Sequence, residues 1–338
     1  MGIILSFITV LVLVFVPFVG MQVANLQVLF GVIIPYLAMI TFLAGVVGRL
    51  LLWSFSPVPF RIPTTAGQQK SFPWIKHSKL ENPSTAAGVF GRMVLEVLLF
   101  RSLFRNSTME FREGPRVTYE WEKWLWLSAI LFHYSFLVVL IRHLRFFTNP
   151  VPGFVNLIEF LDGFMQTGIG PIPGLGLPGM LLSGVILLAA AAYLLLRRVY
   201  IPSVRYISLP TDYFPLFLIM AIATTGILMR YLLKVDIVSV KQLAMGLVTF
   251  SPVLPQGIGV LFYMHLFLVC CLFAYFPFSK LVHLGGLFLS PTRMMANNNR
   301  MVRHINPWNY PVKIHTYEEY EDEFREKMKE AGIPVEKE

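Results

Sequence analysis

Six apolar runs, each about as long as a bilayer core is thick, limit what this chain can become. They lie at about 3–20, 28–53, 123–146, 177–196, 212–233 and 256–284. A helix rises about 1.5 Å per residue, so roughly 20 apolar residues cross a hydrocarbon layer of about 30 Å. That layer offers backbone groups no water, and a helix satisfies its own N–H and C=O groups. The expected fold is therefore all-α, a polytopic membrane bundle of about six transmembrane helices. Hydrophobic residues make up 56% of the chain, charged residues 14%, and the mean hydropathy is +0.64. A soluble domain of this length would carry far more charge. Residues 1–19 lack the basic start of a secretory signal and are followed at once by another span, so they are expected to remain as a transmembrane helix.

The net charge of +9 raises the question of nucleic acid. The cations, however, gather in alternate loops, as the orientation rule for membrane proteins requires, and no nucleic-acid partner is expected. Arg61, Lys70, Lys76, Lys79, Arg92, Arg101, Arg105, Arg112 and Arg116 follow the second span; Arg197, Arg198 and Arg205 follow the fourth; Arg293, Arg300 and Arg303 follow the sixth. Both termini are then cytoplasmic. Loops 20–27, 147–176 and 234–255 face the other side. The expected division is a transmembrane domain over 1–290, with a cytoplasmic loop at 55–121, and a cytoplasmic partner-docking tail over 291–338. Within the loop, 86–105 interleaves apolar residues with Arg92, Glu96, Arg101 and Arg105, the pattern of a helix lying in the membrane interface. In the tail, Thr316 and Glu319 form a capping box, and Gly332 and Pro334 supply the stop. Tyr320, Phe324 and Met328 make an apolar stripe suited to a partner.

Four histidines fall in apolar stretches: His133 and His143, ten residues apart, and His265 and His283, eighteen apart. Ionisable groups inside a bilayer are costly and tend to be functional. The first two lie about 15 Å apart along a helix and the second two about 27 Å, so neither pair can share one metal ion. In antiparallel helices, His143 comes level with His265 and His133 with His283. Eighteen residues are five turns, placing His265 and His283 on one face. The spacings differ by about 12 Å, which tilt and a kink at Pro277 must absorb. Two levels, each with two facing imidazoles, are what two stacked haems need. No Cys-x-x-Cys-His attachment exists, so such haems are non-covalent and b-type. Arg142 and Arg145 beside His143, and Lys280 and Arg293 around His283, are candidates for the haem propionates. His77, His304 and His315 lie in polar segments and are expected on the surface. Cys270 and Cys271 are expected to be small core residues. A lipid-soluble quinol is the natural electron partner, and the Gly- and Pro-rich 147–176 loop with Glu159 and Asp162 reads equally as a quinone site or as a simple extracellular cap. The alternative is a membrane anchor or transporter whose histidines bind a metal or relay protons. The spans carry no Asp or Glu near their middles, which disfavours ion coupling.

The spacings His133/His143 and His265/His283, on the second and fifth of the last five spans, resemble the gamma subunit of respiratory nitrate reductase, a quinol-oxidising dihaem cytochrome b. The resemblance covers about residues 28–290. It implies two haem b, one held by His133 and His283 and the other by His143 and His265. The extra first span, the 55–121 loop and the tail NPWNYPVKIHTYEEYEDEFREKMKEAGIP are similar to the M subunit of the membrane complex of dissimilatory sulfite reduction. That likeness implies menaquinone as substrate, a cytoplasmic iron–sulfur partner resembling heterodisulfide reductase, further subunits of the same complex, a role in sulfite or sulfate respiration, and a prokaryotic cytoplasmic membrane.

Overall fold

The computed structural model describes residues 2–56, 67–114, 116–164, 180–298, 300 and 314–337. In chain order its main elements are α1 (Gly2–Val23), α2 (Leu29–Ser54), α3 (Ala86–Leu99), β1 (Ser107–Arg112), β2 (Arg116–Trp121), α4 (Lys123–Phe146), α5 (Gly153–Asp162), α6 (Leu182–Tyr200), α7 (Pro210–Leu232), α8 (Ile237–Val248), α9 (Val260–Phe278), α10 (His283–Leu289) and α11 (Tyr317–Glu330). Among the described residues, α1, α2, α4, α6, α7 and α9 are long and apolar enough to cross a membrane, with mean hydropathies from 1.6 to 2.8. The chain is a multi-pass membrane protein, mostly helical, as its apolar runs lead one to expect.

The spanning helices pack in a definite order. α4 lies on α6, α6 on α7, α7 on α1 and α9, and α9 on α1 and α2. One apolar core joins Val10, Leu187, Leu218, Ile219, Leu268 and Leu272. A second joins Met21, Phe30, Leu243, Ile258, Phe262 and Tyr263. The opposite faces of α1 and α2 expose Ile4, Ile8, Val12, Phe15, Leu37, Ile40 and Leu43. Such apolar surface is suited to lipid contact. α4 and α9 are not among the closely packed helix pairs, and the histidines of α4, α9 and α10 face one another where these helices approach.

Three expectations are corrected. The sixth span does not run to residue 284: α9 tightens to a 3-10 turn at Phe276–Phe278, and Ser279 is extended at φ −116, ψ 176. Pro277 has no N–H to continue the helical ladder. The chain restarts at α10, so His265 and His283 sit on separate helices rather than one face of one helix. Gly45 of α2 permits this break, because a Cβ there would lie 2.6 Å from the Pro277 side chain. The fourth span begins at Leu182, five residues later than expected. Finally, the 55–121 loop holds an antiparallel hairpin, with Ser107 opposite Trp121 and Arg112 opposite Arg116. Its alternation places Met109, Phe111, Val117, Tyr119 and Trp121 on one exposed apolar face.

Within the 86–105 segment the chain forms α3, whose N-cap Thr85 accepts from the Gly88 N–H at 3.2 Å, a cap worth about 1 kcal/mol. Phe100 ends it in the left-handed region at φ 49. In the tail, Thr316 and Glu319 form the expected capping box, and Gly332 turns the chain at φ +68. Glu321 is buried and accepts from the N–H groups of Glu336 and Lys337, both at 2.8 Å. Of the apolar stripe, Met328 is buried by this fold-back, whereas Tyr320 remains exposed. His304 lies outside the described residues.

Candidate functional site

Each histidine is placed by a different local device. His133 and His143 project from α4 toward α9, His265 lies one turn and a half into α9, and His283 opens α10. They meet in the two expected pairs. The His133 and His283 rings stand 6.0 Å apart at an interplanar angle of 84°, and the His143 and His265 rings 6.4 Å apart at 13°. The break at Ser279 absorbs the difference in spacing that a continuous helix could not.

The hydrogen bonds fix which nitrogen each ring offers. The Nδ1–H of His133 donates to the Ala129 carbonyl at 2.7 Å, that of His143 to Val139 at 2.7 Å, and that of His283 to Lys280 at 2.9 Å. A carbonyl can only accept, so Nδ1 carries the proton and Nε2 keeps its lone pair. His265 is held by Thr225 Oγ1 of α7 at 2.9 Å. The same hydroxyl lies 2.8 and 3.0 Å from the Ala221 and Ile222 carbonyls, which take its proton and leave its lone pair for His265 Nδ1–H. All four imidazoles are thus set as Nε2 donors of a lone pair, the arrangement metal-ligating histidines adopt.

Space between the rings fits the same chemistry. An iron held by two imidazole nitrogens at about 2 Å each places the ring centroids roughly 6.3 Å apart. His133, His143 and His283 are exposed rather than packed into a core. Phe100 lies beside His133 with an edge-on ring 5.0 Å away, and the Leu98 and Leu99 carbonyls before it accept from Tyr134 and Trp126 at 2.8 Å. Among the described residues no three His, Cys, Asp or Glu side chains converge as a conventional metal site would need.

The flanking cations are already partnered. Arg142 donates to Asp162 at 2.8 Å and to Ser183 at 3.1 Å, leaving its buried Nε without a partner. Arg145 pairs with Glu159 at 2.5 Å. Lys280 pairs with Asp212 at 2.7 Å, and Arg293 with Glu96 at 2.7 Å. Glu159 and Asp162, the polar groups of the candidate quinone loop, are thus ion-paired, and the loop's residues 165–179 lie outside the described ones. On the Arg-rich side, burial works to raise the Glu81 carboxyl, but hydrogen bonds from Arg101 and Arg105 outweigh it and hold the group below its ordinary value.

Thr225 and Phe100 were invisible as site residues in the sequence. A hydroxyl beside a glycine in the apolar run AIATTGIL was the one available signal for Thr225. Phe100 had none.

Residues 88–304 match the family described as nitrate reductase gamma subunit. Two archaeal proteins named Hdr-like menaquinol oxidoreductase cytochrome b-like subunit are also similar to this chain. That of Archaeoglobus fulgidus is 46% identical over 288 residues, spanning 83% of both chains. That of Archaeoglobus profundus is 44% identical over 281 residues, 81% of both. With this extent of match, the chain belongs to the nitrate reductase gamma subunit family.

Proposed function

We propose that this chain is the dihaem b membrane subunit of a respiratory complex, exchanging electrons between menaquinol and a cytoplasmic iron–sulfur subunit resembling heterodisulfide reductase in sulfite or sulfate respiration. The observation that carries the haem reading is the pair of ring separations, 6.0 and 6.4 Å, with every Nδ1 occupied and every Nε2 free. His133 and His283 hold one haem and His143 and His265 the other. A haem held by two imidazoles in this way would supply one-electron transfer, with both axial positions taken by the protein. Arg142 and Arg145 lend positive potential beside His143 for the propionates, even while bonded to Asp162 and Glu159. The menaquinol and the further subunits follow from the names of the archaeal relatives. The cytoplasmic partner and the sulfur chemistry follow from the likeness of the first span, loop and tail to the M subunit.

The end of the bundle bearing Arg197, Arg198 and Arg293 faces the cytoplasm in this reading, with both termini there. Cysteine labelling at Lys76 and Glu326 from one side and at Asn156 from the other tests that orientation. The function itself is tested by an absorption spectrum and pigment extraction of the purified protein. Two extractable haem b per chain, both reduced by a menaquinol analogue, are expected. A folded, colourless protein sinks the proposal.

A further inference from the structure

For a helix in a loop that faces water, α3 is built inside out. Its buried stripe is Val89, Arg92, Met93 and Glu96, with Arg92 only 1% exposed. The opposite stripe, Phe90, Val94, Val97 and Leu98, is wholly apolar and exposed, Phe90 to 73%. Each stripe follows the three- and four-residue spacing of one helix face. In water the two faces would be exchanged. The ionic face is committed inward, because Glu96 accepts from the Ser102 N–H at 3.1 Å and pairs with Arg293 at 2.7 Å. Charges turned to the protein and apolar side chains turned out suit a helix surrounded by hydrocarbon.

The neighbours of α3 set it beside a spanning helix. The last carbonyls of any helix lack partners within it. Here those of Leu98 and Leu99 accept from the Tyr134 hydroxyl and the Trp126 ring N–H of α4, both at 2.8 Å. Phe100, which ends α3, rests on His133 at 5.0 Å. His133 lies ten residues into α4, about 15 Å along it, so α3 ends against the first half of that span and not above it. Where water cannot serve a free carbonyl, side-chain donors of this kind are what a helix end needs. The apolar surfaces also adjoin: Leu127, Leu131 and Tyr134 follow one face of α4 and are exposed, and Tyr134 reaches Leu98. On either side of α3 the chain returns to charge, where Glu81 pairs with Arg101 at 2.7 Å and Arg105 at 2.5 Å. We propose that α3 is bedded in the membrane leaflet at the Arg-rich end of the bundle, with Phe90, Val94, Val97 and Leu98 against phospholipid acyl chains. Arg92 and Glu96 then face the protein, and the bedded helix carries Phe100 against His133.

The test uses the full chain in vesicles of phosphatidylcholine and phosphatidylglycerol. A phosphatidylcholine carrying a diazirine within one acyl chain is photolysed, and its cross-links are read by mass spectrometry. They are expected on Phe90, Val94, Val97 and Leu98. In a second arm a charged maleimide, supplied on both sides of the membrane, is applied to Val94→Cys, Leu98→Cys and the solvent-facing control Glu326→Cys, with the labelling of the native chain subtracted. All three positions are exposed, so the variants do not threaten the fold. A thiol held in hydrocarbon stays protonated, and the first two should react at least about tenfold more slowly than the control. Equal rates at all three would mean that water covers the stripe and would overturn the inference. Shielding without acyl-chain cross-links, or shielding that appears only in the purified complex, would overturn it too, because either assigns the face to protein. The outcome stands apart from the haem reading, since it needs no ligand on the histidines.

Discussion

The imidazole planes of His133 and His283 cross at 84°, while those of His143 and His265 lie within 13° of parallel. Were each pair to hold a haem as proposed, the relative orientation of its two imidazole planes would shape the electronic structure of the iron. Crossed planes keep the two π-bonding iron orbitals close in energy, and parallel planes split them. The oxidised protein should therefore give two unlike low-spin ferric signals in electron paramagnetic resonance: one strongly axial with an extreme highest g value, from His133 and His283, the other rhombic. Two identical signals would contradict the geometry.

Single alanine substitutions should sort into two classes. His143→Ala and His265→Ala each lower the haem content from two to one and remove the rhombic signal. His133→Ala and His283→Ala each remove the axial one. Redox titration of the four variants reads the result, and loss of the same component from His133→Ala and His265→Ala would break the pairing.

Thr225 is the one side chain among the four Nδ1 partners, so it can be tested where backbone carbonyls cannot. Thr225→Val keeps the shape and removes the acceptor for His265 Nδ1–H. Loss of such a supporting bond typically costs 10–100-fold in metal affinity, so about tenfold weaker haem retention is expected at His143 and His265 alone. Thr225→Ser should restore it. Equal haem loss at both sites would point to a folding defect instead.

Removing residues 314–338 should leave both haems and membrane insertion unchanged, since all four histidines lie upstream. The exposed Tyr320, whose ring lies 4.9 Å from that of Phe324, enters no core among the described residues of the tail. Co-purification with the iron–sulfur subunit should fail in the truncated protein. Full-stoichiometry binding would transfer the docking role to the apolar face of the β1–β2 hairpin.

The membrane architecture was legible because hydrocarbon imposes length and polarity on each span, and the pairing of histidines was legible because helix rise converts spacing into height. The course of the chain between His265 and His283 was not. It depends on Pro277 meeting Gly45 of a distant helix, a tertiary contact that no local pattern encodes. The β1–β2 hairpin was missed for a related reason: its alternation is only six residues long in each strand and its stabilising partner is the other strand. Thr225 reached His265 across two helices, and only the packed bundle reveals which hydroxyl of the Thr224–Thr225 pair faces it.

The interruption at Ser279 sets the two histidine pairs in unequal surroundings. His143 and His265 belong to helices that insert as complete spans, so their cleft exists as soon as those spans associate. His283 instead rides on a short segment whose position depends on α2 and on the Arg293–Glu96 pair with α3. Its site closes only when the Arg-rich loop has folded onto the bundle. Pulse-labelled chains should therefore acquire the proposed haem at His143 and His265 first, and the one at His133 and His283 only in a later, loop-dependent step; simultaneous acquisition of both would contradict this order.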